Sequence, residues 1–61
     1  MKVIKGDYVK VYIMGKELQY FAFTAKEDVT YKTGQTFEMN GHSGIVRQTQ
    51  VDEWYKLLVV A

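Results

Sequence analysis

Residues 8–14, "YVKVYIM", alternate strictly: Val9, Val11 and Ile13 fall on one side, Tyr8, Lys10 and Tyr12 on the other. A period of two is the mark of a β-strand with one face turned to a core. Reading onward, "MGKE" forms a turn and "LQYFAFTA" (18–25) a second, aromatic-rich strand, so the two make a hairpin. "TFEM" (36–39), "GIVRQTQV" (44–51) and "WYKLLVV" (54–60) add three more strands. Proline is absent, so Gly, Asn and Asp supply the punctuation. Short strands between close turn signals predict a single all-β domain over residues 1–61, a small barrel of about five antiparallel strands.

Two stretches are harder to place. "KEDVTYKTGQ" (26–35) reads as a helical turn, a short strand or a mobile loop, and the residues do not choose among them. "FEMNGHSGIVRQTQV" (37–51) holds the only histidine and the only serine of the chain, His42 and Ser43. Asn40–Gly41 is a strong hairpin signal because both residues tolerate positive φ. Parity then matters. A two-residue turn would pair Phe37 with Gly44 and send Ile45 to the opposite face. A loop of three or five residues buries Ile45 and Val51 together and is the expected geometry, with His42 on the loop.

A catalytic role for His42 and Ser43 fails on geometry. Neighbours in an extended segment point to opposite faces, and no second histidine exists to act as base. The carboxylates of Glu27–Asp28 and Asp52–Glu53 are adjacent in sequence, the pattern of loop ends and caps. Acid–base pairs instead face one another across a cleft, about 5–9 Å apart in glycosidases. No glycine-rich phosphate loop precedes a helix. Without cysteine, and with one histidine, neither a disulfide nor a structural metal site is expected, and no cofactor. The reading is of a non-enzyme.

At 61 residues the chain is near the lower limit for independent folding, so apolar packing must hold it, within one copy or between two. The net charge of +1 creates no global field toward nucleic acid or an anionic membrane. Residues 1–16 carry +3 and the remainder −2, a mild polarity. No apolar run approaches the roughly 20 residues of a membrane span, and "MKVIKGD" places charges where a signal peptide is apolar. A cytoplasmic protein is expected.

Hydrophobicity on two faces is the informative pattern. Residues 18–25 put Leu18, Tyr20 and Ala22 opposite Phe21, Phe23 and Ala25, and residues 54–60 put Trp54, Leu58 and Val60 opposite Tyr55, Leu57 and Val59. A half-solvated sheet alternates apolar with polar. Either a closed barrel covers both faces, or one apolar face meets a partner or a second copy.

"IKGDYVKVYIMGKEL" (4–18) resembles the opening of KOW-type and other SH3-like barrels, in which Gly-Asp-x-Val-x-Val begins the first strand. Gly6, Asp7, Val9 and Val11 match; the basic, glycine-rich second half of a KOW motif is missing, and Phe21–Ala22–Phe23 stands in its place. The resemblance implies an SH3-like barrel, with an OB-like one as the alternative. Such barrels bind peptides, proteins or nucleic acids. The expected function is a protein-protein interaction module, of the size of a bacterial accessory or phage-encoded modulator. It would bind another protein or itself through Tyr8, Lys10, Tyr12, Lys16, Tyr20, Trp54 and Tyr55. The alternative partner is nucleic acid, held by Tyr8, Lys10, Tyr12, Tyr20 and Lys16 with Arg47.

Overall fold

The computed structural model describes every residue except Lys16 and Leu18. Among the described residues there is no helix; the strands are β1 (Lys2–Val3), β2 (Tyr8–Ile13), β3 (Gln19–Thr24), β4 (Val29–Thr30), β5 (Thr36–Met39), β6 (His42–Val51) and β7 (Lys56–Val60). β3, β2, β7, β6 and β5 lie side by side in that order and curl into a half-barrel, while β1 and β4 form a separate two-stranded ribbon. The all-β, five-stranded expectation therefore holds for the main sheet. The ribbon gives residues 26–35 their one strand and recruits the N-terminus, whose two-residue strand is too short to show a period.

The alternation of residues 8–14 orients the sheet. Val9 and Val11 are fully buried, and across the hairpin Phe23 and Phe21 stand opposite them. Leu58 and Val60 of β7 and Val46 of β6 complete the floor, and the core is closed by Val3 of β1, Phe37 of β5, and Ala25 and Tyr31 just past the ends of β3 and β4. Valines fill most of the interior, as suits a narrow barrel whose facing walls stand close. Aromatic rings gather at one side, between the two edge strands. Phe21 lies 6.5 Å from Phe37 and stacks on His42 at 5.3 Å, and Tyr31 meets Phe37 at 6.2 Å. β3 and β5 are not hydrogen-bonded to one another; side chains close the gap that backbone leaves open.

Three expectations are corrected. The sheet is not antiparallel throughout, because β2 pairs with β7 in parallel from Val9↔Lys56 to Ile13↔Val60. Period two assigns faces without assigning neighbours or direction, so nothing in either segment announces this pair.

The hairpin loop is the second correction. It has two residues, with Met39 paired to His42 and positive φ at Asn40 (52°) and Gly41 (77°). These values fit the primed turn whose twist matches the flanking strands. His42 consequently starts β6 rather than sitting on a loop.

The parity argument is the third. It wanted Ile45 and Val51 on one face, but the register shifts between Val46 and Gln48. This bulge inserts one residue and turns the rest of β6 over. Val46 faces inward opposite Val60, Thr49 faces inward opposite Leu58, and Ile45 and Val51 end on opposite faces. Val51 is 66% exposed at the strand end.

Asp7, in the matched Gly-Asp opening, ties the start of β2 to its neighbours. Its Oδ2 accepts the Ile4 N–H at 2.9 Å and bonds the Lys56 ammonium, which also donates to the Lys2 carbonyl at 2.7 Å. Those bonds, led by Lys56, hold the Asp7 carboxyl below the usual range. A depressed folded-state pKa means that stability is present at neutral pH and is lost as the pH falls through the carboxylate range, about 3.9 in model peptides, toward the folded value. Urea unfolding at neutral and at acid pH is therefore expected to show a smaller acid loss in Asp7→Asn than in wild type. Equal losses would mean that the pair is solvated away.

Candidate functional site

β2 turns Tyr8, Lys10 and Tyr12 outward because Val9, Val11 and Ile13 are taken by the core. Its two neighbours then extend that outer face in register. Tyr12 stands between Tyr20 of β3 and Val59 of β7, and Lys10 stands between Ala22 and Leu57. β6 continues the rows with Gln48 beside Val59 and Gln50 beside Leu57. The result is a convex face with tyrosine, valine and leucine at its centre and glutamines along one side.

Contacts within the face hold it in shape. The Tyr12 and Tyr20 rings lie 5.6 Å apart at 39°, and the Lys10 ammonium sits 4.4 Å over the Tyr55 ring. An exposed cation–π contact of this kind contributes about 0.5–1 kcal/mol. The Asp52 carboxylate pushes the Tyr55 hydroxyl up from its ordinary pKa, chiefly through hydrogen bonding and then through charge. Gln50 donates its amide to both Asp52 oxygens at 3.1 Å, so this acid serves as a turn anchor, as its position in sequence implied. Asp28 does likewise, accepting the Lys5 N–H at 2.9 Å.

Of the residues proposed from sequence, Tyr8, Lys10, Tyr12, Tyr20 and Tyr55 are brought together here. Trp54 projects from the β6–β7 turn and is 81% exposed. Lys16 lies outside the described residues. Leu57 and Val59 were missing from that set, although the two-faced pattern of residues 54–60 carried their signal. Only the parallel β2–β7 pair puts them beside Lys10 and Tyr12.

The ribbon packs on the other side of the sheet, since Val3, Val29 and Tyr31 belong to the core or lie against it. Among the described residues, no strand of either sheet lies over the convex face. A cavity of about 360 Å³ opens instead at the side of the barrel, bounded by Phe23, Ala25, Val29, Tyr31 and Met39. Burial raises the Tyr31 hydroxyl above its ordinary pKa.

His42 packs its ring on Phe21 with 17° between the planes, and Ser43 pairs with Glu38 on the opposite face of β6. The two side chains are directed apart. Among the described residues, no group of three His, Cys, Asp or Glu side chains could hold a metal. Comparison of the chain with protein-family models, with curated proteins and with solved structures finds no match.

Proposed function

We propose that this chain is a protein-protein interaction module that docks another protein on the convex face of its sheet. The observation that carries this reading is the row of Tyr20, Tyr12 and Val59 beside that of Ala22, Lys10 and Leu57, with no strand packed above them among the described residues. Tyrosine offers a large ring with few rotors and a polar tip, the composition from which interface anchors are drawn. Contiguous apolar surface of this kind marks docking sites on small soluble domains. Lys10 is the single basic side chain in those rows, and its ammonium already rests on Tyr55. That favours an apolar protein contact over phosphate binding.

The test is affinity capture from a bacterial lysate with the tagged chain, with and without nuclease and at low and high salt. One defined protein is expected to survive both treatments. The double variant Tyr12→Ser/Leu57→Ser, checked for folding by its thermal transition, should release it, with binding weakened at least about 30-fold for the loss of a central anchor worth 2 kcal/mol or more. Lys10→Gln should change capture little. Nucleic acid recovered in place of protein, lost with nuclease or salt and abolished by Lys10→Gln, would replace this reading with strand binding.

A further inference from the structure

β3 is an edge strand, and the hydrogen bonds around it show which of its backbone groups are free. The Met14 N–H donates to the Val60 carbonyl at 2.8 Å, so the even-numbered positions of β2 turn their backbone to β7 and the odd ones to β3. The Ala25 N–H donates to the Asp7 carbonyl at 2.8 Å, which sets the same alternation from the other end. Phe21 and Phe23, opposite Val11 and Val9, therefore spend their backbone bonds on β2. Tyr20, Ala22 and Thr24 direct their N–H and carbonyl groups away from the sheet, and all three residues are exposed. Among the described residues no strand but β2 pairs with β3.

Natural sheets blunt such an edge with a charge, a proline, a bulge or a very short strand. β3 uses none of these: its six residues, Gln19–Thr24, carry no charge and no proline and pair with β2 without a break. The opposite edge, β5, is four residues long and carries Glu38. The strand is also complementary to itself. Placed antiparallel about a two-fold axis at Ala22, it sets Ala22 against Ala22, Tyr20 against Thr24 and Phe21 against Phe23 of the other copy. The outward backbone groups of all three free residues then meet as hydrogen-bonded pairs. The small side chain falls on the axis, where a large one would meet its own image, and no like charges oppose one another within the strand.

We infer that β3 is a self-pairing edge, through which two copies of this chain join their half-barrels into one continuous sheet. One strand on each side buries less than the standard interface of about 1,600 Å², so the dimer is a reversible, concentration-dependent one. It also places the two convex faces side by side, without using the centre of either. The inference stands on the edge and does not depend on the protein-docking role of the face.

Sedimentation velocity of the full chain over a concentration series tests it. Wild type should move from monomer to dimer as concentration rises. Ala22→Pro removes an N–H that only the partner strand uses and should leave a folded monomer. Ala22→Lys and Ala22→Glu put like charges on the axis and should each be monomeric. Mixed together they should form a heterodimer, because residue 22 then faces the opposite charge. A wild type that stays monomeric throughout overturns the inference, as does a dimer that persists in Ala22→Pro and Ala22→Lys. A dimer insensitive to changes at Ala22 but lost in Tyr12→Ser/Leu57→Ser would overturn it too, by showing that copies meet through the convex face. Failure of the protein-docking role would be seen separately, as lysate capture unaffected by the Tyr12/Leu57 change.

Discussion

Leu58→Ala is expected to cost about 2–5 kcal/mol, the range for truncating a buried leucine. Leu58 is the largest fully buried side chain, on the central strand of the five, with Val11 on one side and Thr49 on the other. It belongs to the one buried core cluster, on a strand held on both sides, so the cavity left behind has little means of collapsing. At 0.05–0.15 kcal/mol per residue, a 61-residue chain holds roughly 3–9 kcal/mol in all. The substitution would thus remove much of the stability and, at the lower end, unfold the protein at room temperature. Urea denaturation measures it. Leu57→Ala, one residue along and half-buried on the outer face, is the control and should cost under about 1.5 kcal/mol. A larger loss at Leu57 than at Leu58 would put the core on the wrong side of the sheet.

The second large effect is expected at Gly44. A Cβ there would lie 2.8 Å from Val60 Cγ1, 3.0 Å from the Ala61 carbonyl oxygen and 3.1 Å from its carbon. None of these neighbours yields easily. Val60 is fully buried, and the Ala61 carbonyl is held by the Ile45 N–H at 2.9 Å. Glycine is needed here for space, where long β6 bends from β5 to β7 and the backbones approach closely. Gly44→Ala should therefore cost about 1–3 kcal/mol, the range for overpacking a core. Val60→Ala removes one of the three obstacles, so the double substitution should lose less than the sum of the singles. Gly15→Ala meets nothing within 4 Å and should be close to neutral. A neutral Gly44→Ala would show that β6 and the C-terminal residues stand further apart than described.

His42 shows how a correct local signal can lead to a wrong position. Asn40–Gly41 announced the hairpin, and the turn is there with both residues at positive φ. Shared burial of Ile45 and Val51 calls for a loop of odd length. The bulge beyond Val46 breaks that link, because a residue inserted in one strand exchanges the faces of all that follow. Gly44, a gap in the hydrophobic pattern, proves to occupy an inward position that has no room for a side chain. A window of sequence cannot distinguish a glycine that ends a strand from one that lets two strands touch.

The convex face divides in the same way. Tyr8, Lys10 and Tyr12 were legible as one face because alternation over seven residues is a local property of an extended chain. Tyr20 followed from the hairpin reading, which sets β3 beside β2. Leu57 and Val59 could be seen to oppose Leu58 and Val60, but which strand they would stand beside was not in the segment.

By itself, then, the sequence determined that the chain is all-β, where the five principal strands run and which side of β2 is apolar, while β7 read as apolar on both faces. The torsions and alternation of an extended chain require no distant partner. Tertiary structure alone decided that β7 enters parallel to β2, that β6 turns over at its bulge, and that β3 is left as an unpaired edge. Those outcomes rest on which apolar faces can be buried together once the sheet curls, a balance struck among all the strands at once.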